Sequence, residues 1–411
     1  MATIASTISA AAEKTVQSAQ QRLDVLDILR GFALCGILMV NIFFFANPIY
    51  EFGATPSTHT VADRVVTWLV SFGFESKFYV LFSFLFGYGL AIQITRAATR
   101  GDSLGPRYAR RLIGLLFFGI LHAVFLFVGD ILVSYVLLGI VLWLMREWSP
   151  RQLLWVALVM MGLAIVGRIA LALLEAIALA SPESVNQTAQ LAEQARRNYL
   201  GSFGQSVEQR LQDLVMFYIF TPLFNWPTAL AMFALGLAAG KIGFFKNLAQ
   251  YLPAMCRWAP WALALGIIGN GAYASLLNAQ HTLLSASMLM ALEAIAAPAL
   301  TFCYVFAIVW FVQQPRIGAW LNPLRAAGRM SLSNYIGQAI VCSFLFNGWG
   351  LGWYGAVGPL GCFLLVLLIF AGQVWFSNWW FQHFRSGPGE WLLRSWTYLQ
   401  WQPFKARKAA A

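Results

Sequence analysis

A histidine inside an apolar run is the residue with most chemistry to offer in this 411-residue chain. His122 stands in Gly119-Ile-Leu-His122-Ala-Val-Phe-Leu-Phe-Val-Gly129-Asp130. At about 1.5 Å of helical rise per residue, the stretch from Arg111 carries His122 about 16 Å deep, near the midplane of a bilayer. A neutral imidazole, with an ordinary pKa of roughly 6.5, suits general-base catalysis there. The alternative is a histidine that bridges two helices by hydrogen bonds. Asn41 lies as far beyond Arg30 as His122 lies beyond Arg111, so it reaches the same depth. Its amide either orients the imidazole or a substrate carbonyl, or ties helices together. Asp130 follows Gly129 in a tight hairpin. A straight helix sets it about 12 Å from His122, too far for contact, so a substrate-binding or turn-stabilising role is expected, or a cap on the next helix.

A second polar group opens a later apolar run: Arg329, Ser331, Ser333, Asn334, Tyr335 and Gln338. Helical spacing puts Ser331, Asn334, Tyr335 and Gln338 on one face, which needs either a wet cavity for a ligand or polar partners on other helices. Arg30, Arg110, Arg111 and Arg329 are the candidate grips for anionic phosphates, since a guanidinium fork matches phosphate geometry. Asp27 is one turn from Arg30 and can pair with it. Glu75 and Lys77 read as structural, with Lys77 snorkelling toward water. His59, His281 and His383 receive no chemistry. The chain has no His-Glu-x-x-His, Walker or Gly-x-Ser-x-Gly pattern, which leaves zinc hydrolysis, ATP-driven pumping and serine hydrolysis without a signature, and no metal is expected. Cys35, Cys256, Cys303, Cys342 and Cys362 are far apart in apolar segments and read as buried packing residues.

The elements that must position these groups follow from composition. Apolar residues make up 60% of the chain and charged ones 10%, with a mean hydropathy of +0.67. A soluble domain carries about 25% charged residues. This balance gives an all-α, polytopic integral membrane protein and excludes a large extramembrane catalytic domain. Runs near the roughly 20 residues that cross a bilayer fall at 26–46, 76–95, 111–128, 130–146, 153–175, 223–241, 258–278, 284–312, 328–348 and 356–381, which is about ten spans. Val61 to Phe74 reads as interfacial, and Thr221-Pro222 with Asn225-Trp226-Pro227 as a break before the sixth span. Alternate loops hold only Arg64, Arg196, Arg197 and Arg210 of the 27 Lys and Arg, while Arg96, Arg100, Arg107, Arg110 and Arg111 cluster on the other side. The positive-inside rule then sets both termini in the cytoplasm. It also accounts for the net charge of +11 without nucleic acid. Residues 1–22 read as a disordered or loosely helical cytoplasmic tail, 23–400 as the transmembrane domain with an outer amphipathic segment at 175–212, and 401–411 as a second cytoplasmic tail. Gly387-Pro388-Gly389-Glu390-Trp391-Leu-Leu-Arg394 reads as an amphipathic segment on the inner surface.

Several of these blocks resemble one family. Asp27-Ile-Leu-Arg30-Gly31 through Asn41, Lys77-Phe78 with Leu81 to Gly89, the block from His122 to Tyr135, Gly328-Arg-Met-Ser-Leu-Ser-Asn334-Tyr335 and the Gly387 to Arg394 segment resemble the YeiB-like (DUF418) bacterial membrane proteins. The resemblance implies a multi-pass protein of the bacterial cytoplasmic (inner) membrane. More distantly, the Leu-Arg-Gly opening looks like that of membrane acyltransferases, including bacterial O-acetyltransferases and heparan-α-glucosaminide N-acetyltransferase. Those enzymes move an acyl group from cytoplasmic acyl-CoA to a hydroxyl or amine on the far side. The likeness implies acyl-CoA as donor and an envelope glycan or lipid as acceptor; where the O-acetyltransferases have a histidine this chain has Asn41, a departure that moves the catalytic base to His122 and leaves Asn41 to position the acyl carbonyl. A transporter or lipid-handling carrier with a midplane polar site is the rival reading, and a scaffold or sensor the third.

Overall fold

The structure, a computed structural model, describes the backbone of residues 2–51, 60–179, 181–277 and 283–405, and side chains from Asp24 onward except at a few positions beside those breaks. His59 and His281 lie outside the described residues, as do the side chains of the expected N-terminal tail. The chain forms α1 (Ala2–Ala46), a 3-10 turn (Ile49–Glu51), α2 (Val61–Gly73), α3 (Lys77–Arg100), α4 (Gly105–Phe125) and α5 (Leu132–Leu144). It continues with α6 (Pro150–Leu179), α7 (Pro182–Tyr199), α8 (Phe203–Phe224), α9 (Trp226–Lys241) and α10 (Leu248–Leu277). The last five helices are α11 (Leu283–Val312), α12 (Pro315–Arg329), α13 (Ser331–Phe346), α14 (Pro359–His383) and α15 (Pro388–Tyr398). Among the described residues there is no strand, only an isolated bridge between Phe384 and Lys405.

Local chemistry sets several of the boundaries. The Thr60 hydroxyl accepts from Asp63 N at 3.1 Å and the Asp63 carboxylate accepts from Thr60 N at 3.0 Å, a reciprocal cap that starts α2. Ser202 and Gln205 do the same for α8. Gly101, at φ +66°, adopts the left-handed conformation that closes α3.

Among the described residues, seven helices are long and apolar enough to cross a membrane, and an eighth crossing follows if α8 and α9 count as one span bent by 57°. The chain is a helical membrane protein. The count differs from the ten expected because α5 and α13 are apolar but only 13 and 16 residues long, short of the roughly 20 residues of a full crossing. Large apolar side chains such as Trp155, Leu158, Val166, Leu368 and Trp375 face outward, as expected where the surrounding medium is hydrocarbon.

The interior is held by close backbone approaches and by stacked aromatic rings. A Cβ on Gly236 of α9 would collide with the Phe84 carbonyl of α3, and one on Gly328 of α12 with the Asp27 carbonyl of α1. Small residues at such crossings let van der Waals contact replace the hydrophobic drive that lipid removes. Lys77 does not snorkel. It is completely buried, and its Nζ donates to the Ser71 carbonyl in the last turn of α2 at 2.8 Å. Of the cysteines only Cys342 and Cys362 are buried, and Cys256 is exposed on α10.

Candidate functional site

His122 occupies the last turn of α4, where its carbonyl accepts from Leu126 N at 3.0 Å and Phe127 N at 2.8 Å and so ends the helix. The chain then reverses through residues 126–131 into α5. This reversal removes the straight-helix geometry that set Asp130 about 12 Å away. Asp130 Oδ1 stands 2.9 Å from His122 Nδ1, and the two side chains are 0% and 1% exposed. The approach is close but lies off a hydrogen-bond axis, and His122 Nε2 has no protein partner among the described residues. The other carboxylate oxygen of Asp130 accepts from Val133 N at 2.8 Å, so one side chain both caps α5 and faces the imidazole. The expected capping and turn-stabilising alternatives for Asp130 are therefore met by the oxygen that His122 does not use.

Aromatic rings fix the imidazole. Tyr335 of α13 lies 4.5 Å from it, centroid to centroid, and Phe127 meets it edge-on at 6.0 Å. Phe127 stacks in turn on Phe45 of α1 at 4.1 Å. The Tyr335 hydroxyl accepts from Ile131 N at 3.4 Å, which binds α13 to the reversal.

Tyr335 also lines a cavity of about 200 Å³ that reaches from it and Tyr135 to Ser331, Arg111, Glu390 and Arg394. The wall between is apolar, built by Ile37, Phe82, Phe86 and Leu115 among others. A larger depression of about 340 Å³ lies around Trp148, Gln152, Trp155, Val156, Val159 and Met160. It offers no ionisable group and lies away from His122. At the charged end of the 200 Å³ cavity, Glu390 Oε1 accepts from Leu332 N at 2.6 Å and Ser333 N at 3.2 Å, and Oε2 from the Ser333 hydroxyl at 2.6 Å. The carboxylate thus satisfies the free N–H groups that open α13. Burial pushes the Glu390 carboxyl above its ordinary value of 4.5, against the pull of those hydrogen bonds.

The Uncharacterized protein YxaH of Bacillus subtilis (strain 168) is 35% identical over 399 residues, covering 93% of this chain and 96% of the relative. Residues 239–400 match the family described as "Protein of unknown function (DUF418)". The chain belongs to the DUF418 family. A second relative, the Uncharacterized protein YeiB of Escherichia coli (strain K12), is 27% identical over 391 residues, 92% of this chain and 96% of its own length.

In this DUF418 protein the residues singled out by spacing divide into groups. His122, Asp130 and Tyr335 come together, and Ser331 and Arg111 line the same cavity. Asn41 is half-buried on α1 and makes no hydrogen bond to His122 among the described residues. Asn334 and Gln338 turn to α14 instead: Asn334 Nδ2 donates to the Ser377 hydroxyl at 3.0 Å, and Gln338 Nε2 to Gln373 Oε1 at 2.9 Å. Both of those hydrogen bonds run between α13 and α14. Arg30 pairs with Asp27 at 2.9 Å, Arg110 Nε donates to the Thr397 carbonyl at 2.9 Å, and Arg329 lies over the Phe381 ring at 4.0 Å. Only Arg111 of those four arginines lines the cavity.

Sequence reasoning did not single out the buried ion pair between Arg168 of α6 and Glu293 of α11, which are 1% and 2% exposed. Arg168 also donates to the Tyr79 hydroxyl at 3.1 Å. Its signal was available, an ionisable residue inside an apolar run. Tyr135 was also missed. Its hydroxyl shares a 2.7 Å hydrogen bond with Ser83 on the cavity's flank.

Proposed function

We propose that this DUF418 protein is a transmembrane acyltransferase, carrying an acyl (acetyl) group from cytoplasmic acyl-CoA to a hydroxyl or amine of an envelope glycan or lipid. The observation that supports it is the buried His122–Asp130 contact behind a cavity with a cationic end. Asp130 at Nδ1 favours the tautomer that carries its proton there and leaves the Nε2 lone pair free. Nε2 then accepts the proton of the acceptor O–H or N–H as that atom attacks the thioester carbonyl carbon. The new C–O or C–N bond forms, the C–S bond breaks, and the imidazolium returns its proton to the departing thiolate. Asp130 stabilises the imidazolium between these steps. Asn41 is the proposed donor to the acyl carbonyl oxygen. The donor phosphates enter at the arginine-rich end, for which Arg30, Arg110, Arg111 and Arg329 supply the cationic field.

In this reading α5, α13 and the bent α8–α9 pair also cross, which makes ten spans and sets both termini in the cytoplasm of a bacterial inner-membrane protein. Incubation of purified protein with labelled acetyl-CoA and a cell-envelope extract tests the activity. Label transfer that His122→Ala abolishes is the expected result. No transfer, or transfer unchanged in that variant, overturns the reading.

The 57° break between α8 and α9 favours a second reading, a carrier in which a discontinuous span acts as hinge. It requires saturable flux across proteoliposomes without acyl-CoA, and loss of that flux on mutating Asn41.

A further inference from the structure

The charged end of the cavity holds three ionisable groups, and they are not equally engaged. Both Glu390 oxygens are spent on the N-terminus of α13 and on Ser333. Arg111 and Arg394 line the same cavity, yet neither makes an ion pair or hydrogen bond to protein among the described residues. Their neighbours contrast with them: Arg107 pairs with Asp102 at 2.7 Å and Arg325 with Asp24 at 3.0 Å, while Arg30 and Arg110 are bound as described above. A guanidinium has five donors in a fixed fork, and half-buried Arg111 pays to leave them unused, while Arg394 holds its own open at the exposed mouth.

The two free guanidiniums come from different elements, which are clamped together beside them. Trp396 Nε1 donates to the Arg110 carbonyl at 2.7 Å and Arg110 Nε returns a bond to Thr397 O at 2.9 Å, so α15 is fastened to α4 next to this pair by a reciprocal contact. Beyond the arginines the wall is aromatic and aliphatic, with Phe82, Phe86, Ile37 and Leu115, until it reaches Tyr335 against His122. A ligand matching this order has a doubly or singly charged anion at one end and an apolar chain at the other.

We infer that Arg111 and Arg394 form a phosphate site at the mouth of the cavity, and that the cavity binds a phosphate-bearing acyl amphiphile with its chain running inward along Phe82 and Phe86 toward Tyr335. A bidentate guanidinium fork recognises the phosphate, and burial of the chain adds affinity in proportion to its length. Arg394 is thereby a binding residue, and Glu390 is the anchor that keeps its helix on the mouth. Acyl-CoA and a lysophospholipid both present this chemistry. The site shares its cavity with the acyl-transfer reading but needs no transfer to occur, so the two can fail separately.

The test is equilibrium binding of labelled octanoyl-CoA and of labelled lysophosphatidate to the detergent-purified full chain, with octanoate as the phosphate-free comparison. Arg394→Gln, on an exposed helix face, and Arg111→Gln should each weaken whichever phosphate ligand binds by about tenfold or more, the scale of one charge-assisted contact. Arg394→Lys should recover part of that loss, octanoate binding should not respond, and Arg107→Gln should bind as wild type. Binding without transfer in the wild type would defeat the acyltransferase reading and leave the site standing. Octanoyl-CoA binding without lysophosphatidate binding identifies a nucleotide donor, and the reverse a lipid. If neither ligand binds, or if both Gln variants keep wild-type affinity, the inference is wrong.

Discussion

Asp130 divides its carboxylate between two tasks, and the division makes its replacement informative. Asn keeps the shape and an acceptor for Val133 N, 2.8 Å away, but removes the charge facing His122. Under the acyl-transfer reading, Asp130→Asn should lower turnover by about 10²–10⁴-fold with little change in melting temperature, measured by labelled acetyl transfer beside a thermal melt. A large fall in stability with turnover intact would make Asp130 purely a cap. That His122 lies within an apolar helix was legible from the run that holds it. Its contact with Asp130 was not, because a helical rise extrapolates only while the helix lasts, and α4 ends within a turn of His122. The Ser331-to-Gln338 face meets both of its expected alternatives, because a helix buried on several sides has polar residues with different clients: Tyr335 and Ser331 line the cavity, and Asn334 and Gln338 bond to α14.

The elements around the site are held by approaches that tolerate no added volume. Gly236→Leu on α9 would thrust a side chain into the α3 backbone at Phe84. We expect a loss of about 2 kcal/mol or more, as for forced overpacking, read as a lower melting temperature in detergent, whereas Gly162→Leu on the open face of α6, with no neighbour within 4 Å of its Cβ, should melt as wild type. The docking of α15 carries a pH signature. Since burial raises the Glu390 carboxyl above 4.5, the folded chain holds that proton to higher pH than the unfolded chain does. Its contribution to stability is therefore full below 4.5 and declines as pH rises through the folded value. Melting temperature should fall over that interval in the wild type and lose that slope in Glu390→Gln; a wild-type melt that rises with pH there, or a slope that survives the substitution, contradicts this. The sequence revealed the helices themselves through apolar run length. It concealed how short α5 and α13 are, because hydropathy does not register where a chain turns inside an apolar run.

At the scale of the whole molecule, the Arg168–Glu293 pair ties α6 to α11 and, through Tyr79, to α3. Removing one partner leaves a buried charge, and Glu293→Gln should cost about 3–5 kcal/mol, while replacing both residues by Met should recover most of the loss; equal damage from the single and double variants would argue against the ion pair as the cause. On the side of His122 away from the arginines the bundle is closed by its own contacts. Tyr50 and Tyr199 donate to the two oxygens of Asp213 at 2.9 and 2.7 Å, Ser343 donates to the Leu126 carbonyl at 2.8 Å, and Phe45 covers Phe127. A titratable ring buried inside a membrane protein would conduct protons if water reached it from both faces. We expect the stacked Phe45–Phe127 pair to insulate against that leak. Vesicles carrying the wild-type protein should hold an imposed pH gradient as protein-free vesicles do, and those carrying Phe127→Ala should lose it faster, by a pH-sensitive dye trapped inside; equal decay in both would mean the barrier lies elsewhere. On that expectation, the ring that packs on the histidine also limits what a buried titratable group costs an energised membrane.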